Sequence, residues 1–223
     1  CPAKLAAKAS LVVVLHGCTQ SAAGYDHSSG WSRLADLSGF AVLFPEQQRS
    51  NNPNLCFNWF VPDDTRRGSG EASSIHQMEE TMIVAHDLDR RRIFITGLAD
   101  GGAMASVLLS TYPEVFAGGA IIAGLPFGSA NTMPQAFDRM RGHGSPAAQQ
   151  LGLAIRQASA HSGPWPKISV WHGSADVTVS PVNAEQTVDQ WLLVHGLARK
   201  PQREKSGDGY KRRVWQTTVG EEI

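Results

Sequence analysis

The chain has 223 residues, in which 20 lysine and arginine side chains balance 20 aspartate and glutamate side chains. This length suits one large α/β domain, and the balanced charge provides no steering towards nucleic acid or an anionic membrane. The longest apolar runs are too short to cross a bilayer. We therefore expect one domain over residues 1–223 and a neutral or mixed substrate.

Short aliphatic or β-branched runs alternate with amphipathic stretches along the chain. Strands are predicted at residues 11–15, 40–44, 92–96, 117–122, 168–171 and 212–216. Helices are predicted from apolar spacing near 3.6 at residues 32–38, 75–86, 103–111, 147–158 and 183–194. This alternation predicts a mainly parallel sheet with helices on both faces and ligand sites at the carboxyl ends of the strands. Two long connections, 45–70 and 124–146, are expected to be functional loops.

The segment after the third predicted strand reads GLADGG over residues 97–102. Glycines two residues before and after the apex are typical of a nucleophile elbow, a sharp strand-to-helix turn that lifts one strained side chain above the sheet. This register places Ala99 where a serine hydrolase has its nucleophile. Since a methyl group cannot attack an ester, the chain is either a hydrolase disarmed deliberately or a natural pseudoenzyme.

Two other interpretations of this turn stay open. Asp100 could itself be a carboxylate nucleophile, although that register places Leu98 where a small flanking residue is needed. The spacing is also compatible with an ordinary glycine-rich turn between a strand and a helix. The position directly after an apolar strand favours the elbow.

Candidates for the other parts of an ester-cleaving site follow two further strands. Asp176 lies in a turn after the fifth predicted strand and would orient a catalytic base, although aspartate in this place can also simply close a turn. After the first strand, Cys18 or Thr19 could give one backbone N–H to an oxyanion hole, and Asp100 could give the other. His16, at the end of that strand, is expected to be a structural hydrogen-bonding residue.

The sequence shows no clear catalytic base. His195 is the only histidine after Asp176, and its amphipathic surroundings place it near the end of a helix. His172 lies too close to the strand that carries the acid. No pair of histidines or cysteines has the spacing of metal ligands, so we predict neither a metal nor a cofactor.

The cysteines indicate whether the protein works in an oxidising or a reducing compartment. Cys18 and Cys56 both lie in loops expected at the same edge of the sheet, which predicts a disulfide and an oxidising environment. Two buried thiols in a cytosolic protein are the alternative. Cys1 is left unpaired, and it would mark either a lipidated N-terminus or a boundary of the sequenced chain.

Six blocks in a fixed order carry a resemblance to a known family. They are LHGCTQ at 15–20, PEQ at 45–47, CFNWF at 56–60, the segment 97–104, PEVFA at 113–117, and WHG with the following AD at 171–176. Together they resemble the polyhydroxybutyrate depolymerase and feruloyl esterase family. The resemblance implies an α/β-hydrolase fold. It also implies a secreted or periplasmic serine esterase that acts on polyesters of 3-hydroxy acids, or on feruloyl and acetyl esters of plant polysaccharides.

The resemblance also implies roles for particular residues. Family members have serine at the position of Ala99, and Asp176 would be their acid. Cys18 and Asp100 would be the oxyanion donors. A histidine base is implied in a segment a few tens of residues past the acid, about where the sequence ends, and one or more strands are implied before the strand that begins at Leu11. The domain is therefore expected to be clipped at both ends.

Three aromatic residues, Phe57, Trp59 and Trp165, are candidates for an apolar substrate wall, with core packing as the alternative. The preferred hypothesis is a carboxylic ester hydrolase scaffold with its nucleophilic serine replaced by Ala99. The alternatives are a non-catalytic protein that binds polyester or esterified polysaccharide, and a hydrolase with Asp100 as nucleophile. The sequence does not choose between polyester and polysaccharide esters.

Overall fold

The computed structural model describes residues 5–223, so Cys1 lies outside the described residues. A parallel sheet has the strand order β2-β1-β3-β4-β5. Its strands are β1 (Leu11–Leu15), β2 (Ala41–Leu43), β3 (Ile93–Leu98), β4 (Gly118–Ile122) and β5 (Lys167–Trp171). The register aligns Leu98, Ile122 and Trp171 at the carboxyl edge, so the loops that follow these three strands share that edge.

Helices cover both faces of the sheet, as the alternating sequence pattern predicts. They are α1 (Ala22–Ser29), α2 (Trp31–Ser38), α3 (Gly70–His86), α4 (Asp100–Thr111), α5 (Met133–Met140), α6 (Ala148–Gln157) and α7 (Val182–His195). Side chains of α1 and α2 pack with Val14 and Val42 on one face. The larger core on the other face includes side chains of α3, α4, α6 and α7.

Helix α4 lies at the centre of the molecule. Every residue from Asp100 to Thr111 is buried, and the helix contacts β1, β3 and β4. Its sequence is apolar or small on all sides, as expected of a helix that solvent does not reach. The residue before it is therefore held at the middle of the carboxyl edge of the sheet.

Three elements differ from the sequence prediction. Helix α1 has no apolar stripe, but Ser21 caps it by accepting a hydrogen bond from the Gly24 N–H at 3.1 Å. Helix α5 lies inside the connection 124–146 and begins with a Thr132 cap and a proline. Strand β6 (Arg203–Gly207) was not predicted. It pairs with β7 (Tyr210–Val214), which overlaps the strand predicted at 212–216, and the Asp-Gly turn between them is a hairpin signal that apolar periodicity overlooks.

Among residues 5–223, no helix is both long enough and apolar enough to span a bilayer. The connection from 44 to 69, between β2 and α3, is mostly turns and is called the disulfide loop below. It runs along the carboxyl edge beside the start of α4, where its Phe57 N–H reaches the Asp100 side chain.

Candidate active site

Ala99 occupies the apex of a sharp turn between β3 and α4. Its backbone has φ 56° and ψ −115°, a combination that is strained for any residue with a side chain. The Ala99 N–H donates to the Ile122 carbonyl at 2.9 Å, and its own carbonyl accepts from the Ala103 N–H at 2.9 Å. The turn is therefore fixed from both sides in the strained geometry of an elbow.

The flanking glycines are required by close backbone approach. A Cβ on Gly97 would lie 2.1 Å from the Gly101 carbonyl oxygen, and one on Gly101 would lie 2.3 Å from the His16 carbonyl oxygen. No real side chain tolerates such contacts. The spacing in the sequence thus reflects a place where three backbone segments meet.

Asp100 is the first residue of α4, and its side chain turns inward. The residue is 5% exposed, and its Oδ2 accepts a hydrogen bond from the Phe57 N–H at 2.6 Å. Burial raises the pKa of the carboxyl to about 7, although nearby backbone N–H groups oppose the rise. A carboxyl that is buried and bonded to the disulfide loop is poorly placed to attack a substrate, so the geometry does not favour Asp100 as the nucleophile.

The backbone around the apex provides candidate oxyanion donors. No backbone carbonyl in the described part of the chain accepts from the N–H of Cys18 or Asp100. The first N–H groups of a helix have no partner within it, and the N–H groups of Cys18 and Asp100 also act on the Asp100 carboxyl, whose pKa they lower. Thr19 does not fit its predicted role, since its N–H already donates to the Asn54 carbonyl at 2.9 Å.

His16 is buried beneath this loop as a structural residue. Its Nε2 accepts from the Gln47 N–H at 3.1 Å, so its Nδ1–H is the donor to the Gly17 carbonyl at 2.8 Å. The ring also packs against Phe57 at a centroid distance of 4.9 Å. Both ring nitrogens are occupied, which fits the structural role that the sequence predicts.

The predicted disulfide between Cys18 and Cys56 is confirmed, and it joins the loop after β1 to the disulfide loop. The two sulfurs and a carboxylate oxygen of Asp100 lie within 4.8 Å of one another. Because both sulfurs are engaged in the disulfide, this group does not constitute a metal site.

Asp176 lies in the turn after β5. Its Oδ1 accepts from the Thr178 N–H at 2.9 Å and from the Val179 N–H at 3.0 Å, while Oδ2 lies 3.4 Å from Nε2 of His172. Partial burial raises the pKa of the carboxyl, but the hydrogen bonds from Val179 and Thr178 and the nearby His172 bring it below its usual range. The result is an ionised carboxylate at the carboxyl edge, two strands away from Ala99.

His172 and His195, the two histidines considered as bases, both donate to backbone carbonyls. His172 donates from Nε2 to the Val179 carbonyl at 2.8 Å, and its Nδ1 is buried without a partner. His195 ends α7 and donates to the Pro166 carbonyl at 3.1 Å, just before β5 begins. Burial lowers the pKa of His195 to about 4. Each ring therefore has one nitrogen engaged by a backbone carbonyl, although His172 also lies beside Asp176.

The aromatic candidates do not form an open substrate wall. Phe57 and Trp59 are buried members of the main core, as the core-packing alternative states. Trp165 lies two residues before β5, at the amino end of that strand, and packs against His161. The structure therefore puts Trp165 at the opposite edge of the sheet from Ala99, which corrects its predicted place.

A polar network behind the site was missed by the sequence analysis. The Gln47 amide donates to the Cys56 carbonyl at 3.0 Å and to Glu71, and the Asn58 N–H donates to Glu71 at 2.7 Å. Burial raises the pKa of Glu71 to about 7 although these hydrogen bonds lower it. A pocket of about 470 Å³ lies beside this network. Its signal in the sequence was the density of Asn and Gln in residues 47–58.

A family model described as Esterase PHB depolymerase matches residues 1–213. The chain belongs to this esterase family. It is 46% identical over 220 residues to poly(3-hydroxyalkanoate) depolymerase C of Paucimonas lemoignei, covering 98% of this chain and 53% of that protein. It is 31% identical over 230 residues to the probable acetylxylan esterase A of Aspergillus fumigatus, covering 96% of this chain and 60% of that protein.

The fold agrees with this assignment. An acetyl xylan esterase from Aspergillus awamori superposes with a TM-score of 0.86 and 25% sequence identity, covering 100% of this chain and 87% of that one. The chain thus has the α/β-hydrolase fold that the sequence predicts and the scaffold of an ester hydrolase. It spans a little over half the length of the two relatives above.

Proposed function

We propose that this chain carries the site of a serine-type carboxylic ester hydrolase in which the nucleophilic serine is replaced by Ala99. The strained turn at Ala99 carries the proposal, because a protein has little reason to hold an alanine in that conformation unless the position serves a side chain aimed at a ligand. In this proposal Asp176 is the acid, and the N–H groups of Cys18 and Asp100 are the oxyanion donors.

The proposed chemistry lacks its attacking atom and, among the histidines described above, its base. A serine hydroxyl at position 99 would attack the ester carbonyl, pass its proton to a base and form an acyl-enzyme that water hydrolyses. The backbone donors at Cys18 and Asp100 would stabilise the oxyanion, and they do not depend on the side chain at the apex. The protein with Ala99 is therefore expected to bind an ester without cleaving it.

The base is proposed to lie outside the histidines placed above. His172 and His195 each donate to a backbone carbonyl. A base must bond to both the nucleophile and the acid, and a ring nitrogen engaged by a backbone carbonyl is not free to do so. A soluble base such as imidazole offers a way to supply the missing function in an assay.

The proposed substrate class is an ester of a hydroxy-acid polymer. We place poly(3-hydroxyalkanoate) ahead of acetylated xylan because the identity to the depolymerase is 46%, against 31% to the acetylxylan esterase. A polymer cannot enter a cell, and the disulfide is typical of an oxidising compartment. Both points support a secreted or periplasmic protein.

Restoring the serine tests the proposal. Ala99→Ser is assayed with p-nitrophenyl butyrate at increasing imidazole, and the slope of rate against imidazole is compared with that of the unmodified protein. We expect a slope at least about tenfold steeper, because imidazole can take the proton of a serine at the apex, whereas the unmodified protein has no hydroxyl there for it to activate. Ala123→Ser is the matched control, since Ala123 also has a positive φ, 47°, at the carboxyl end of the neighbouring strand. Equal slopes for Ala99→Ser and the unmodified protein would refute the proposal.

A non-catalytic binding protein is the second candidate, and the alanine at the apex is the observation that favours it. It predicts that the unmodified protein binds a hydroxybutyrate oligomer, as measured by calorimetry, while Ala99→Ser hydrolyses nothing with or without imidazole. The two candidate functions therefore predict different results for the same pair of proteins.

A further inference from the structure

The proposed chemistry uses the backbone N–H of Asp100 but leaves its side chain without a role. That side chain is buried, with Oδ2 bonded to the Phe57 N–H and Oδ1 without a hydrogen bond. Burying a carboxyl with one oxygen unpaired is unfavourable, so the group needs a structural or functional reason.

The two segments that carry the proposed oxyanion donors meet the disulfide loop at this carboxyl. Asp100 itself starts α4 directly after the apex. Its Oδ1 is 3.7 Å from the point where a Cβ on Gly17 would lie, in the loop after β1. The disulfide sulfurs of Cys18 and Cys56 are within 4.8 Å, and Phe57 is bonded to it directly. The carboxyl thus contacts the elbow, the loop after β1 and the disulfide loop at once.

No positive charge compensates this carboxyl within residues 5–223, where Asp100 forms no salt bridge with any lysine, arginine or histidine. The titratable groups on the elements packed around it are His16 at the end of β1 and Glu71 on α3. His16 accepts a hydrogen bond through Nε2 and is therefore neutral, and Glu71 is bonded to Gln47 and Asn58. Burial accordingly raises the pKa of Asp100 to about 7, against the opposing effect of the N–H groups of Phe57, Cys18, Asp100 and Gly101.

We propose that the Asp100 side chain is a positioning group that latches the disulfide loop to the elbow and, in its neutral form, leaves the oxyanion hole uncharged. The latch is independent of the proposed function, whereas its catalytic meaning rests on that function. A negative charge a few ångströms from the hole opposes the charge that develops on the substrate oxygen. The hole therefore stabilises an oxyanion best below the pH at which Asp100 ionises.

The latch is tested by NMR on the protein with Ala99 in place. The side-chain carbon of Asp100 is titrated, and amide exchange of Phe57 is measured in this protein, in Asp100→Asn and in Asp100→Ala. We expect the Asp100 carboxyl to titrate with a midpoint near 7, and the amide chemical shifts of Phe57 and Cys18 to change with the same midpoint. We also expect Phe57 exchange to be at least about tenfold faster in Asp100→Ala and little changed in Asp100→Asn, whose amide oxygen still accepts the hydrogen bond.

Either of two results would overturn the proposal. One is an ordinary midpoint near 4 for Asp100. The other is unchanged Phe57 exchange in Asp100→Ala, provided that amides of α7 confirm the fold; if that variant does not fold, the titration decides. Asp176 in the same spectra is the internal control and is expected to titrate below its usual range.

The catalytic consequence is measured separately in the Ala99→Ser background. The double variant with Ala99→Ser and Asp100→Asn is compared with Ala99→Ser alone. The ratio of their ester hydrolysis rates, double variant over single variant, is expected to rise about tenfold from pH 6 to pH 8, since only the carboxyl acquires charge. A flat ratio would contradict the uncharged hole. An inactive Ala99→Ser protein would refute the proposed function, while the NMR result would still decide the latch.

Discussion

The two halves of the candidate site are held in different ways. The elbow half is fixed by contacts between distant parts of the chain, such as the disulfide between residues 38 apart and the hydrogen bond from Phe57 to Asp100. The acid half is fixed locally, because Asp176 bonds to the N–H groups of Thr178 and Val179 in its own turn.

Exposure follows the same division. The elbow half is buried, while the acid turn follows the edge strand β5, where Trp171 is 61% exposed and Val177 is 98% exposed. Contacts over long sequence separations hold the proposed oxyanion donors in place without help from the acid turn. Substitutions in the elbow half should therefore cost stability, whereas substitutions in the acid turn should leave the fold intact.

The largest difference is expected from adding one methyl group to a glycine in each half. Gly97→Ala places a Cβ 2.1 Å from the Gly101 carbonyl oxygen, whereas a Cβ on Gly173, in the acid turn, meets nothing within 4 Å. We expect Gly97→Ala to lower the free energy of unfolding by at least about 3 kcal/mol, and Gly173→Ala to change it by less than about 0.5 kcal/mol. Urea denaturation of both variants measures this, and equal losses would remove the distinction between the halves.

Breaking the disulfide comes next. The bond closes a loop of 38 residues, so its removal by Cys18→Ala with Cys56→Ala is expected to cost about 3–4 kcal/mol. Hydrogen exchange should show loss of protection in the disulfide loop but not at Thr178 and Val179. Faster exchange at those two amides would show that the acid turn depends on the elbow half after all.

Two carboxyls, that of Glu71 beside the disulfide loop and that of Asp176 in the acid turn, should have opposite effects on stability as pH changes. Glu71 has a pKa raised to about 7, so the folded state binds more protons than the unfolded state between about pH 4.5 and 7. Stability contributed by this group falls as pH rises through that window. Glu71→Gln should therefore make the free energy of unfolding fall less steeply between about pH 5 and pH 7. The difference in slope should correspond to about one bound proton, as measured by urea denaturation. An unchanged slope would show that Glu71 titrates normally.

The smallest effect is expected at Asp176. Its folded pKa lies below the usual range, so its contribution is present above the unfolded pKa and is lost as pH falls through the folded value. Asp176→Asn should cost about 1 kcal/mol or less at pH 7 and nothing at pH 2. A loss of several kcal/mol at pH 7 would mean that the acid turn supports the fold as strongly as the elbow does.

The local features of the site could be predicted from the sequence because neighbouring residues encode them. The glycine spacing around Ala99 and the strand before it specify the turn, and Asp176 follows a strand that apolar residues mark. The contacts between distant residues could not be predicted. The Thr19 N–H is taken by Asn54, and Gln47 reaches Glu71, through pairings that no spacing rule describes.

The same limit explains the elements that were missed. Helix α1 buries only Tyr25, so apolar periodicity had nothing to detect, and its signal was a serine cap. Trp165 was assigned to the site by residue type alone. Its place before rather than after β5 already puts it at the far edge of the sheet. In a parallel sheet, whether a residue precedes or follows a strand is a better guide to the edge at which it lies than its residue type is.

The most direct test of the central claim is the slope of ester hydrolysis against imidazole for Ala99→Ser and for the unmodified protein. The account predicts a slope at least about tenfold steeper when serine occupies the apex, and no such gain for Ala123→Ser. Identical slopes for Ala99→Ser and the unmodified protein would contradict it, because a serine held in this strained turn, beside the proposed oxyanion donors, should react once imidazole supplies the base.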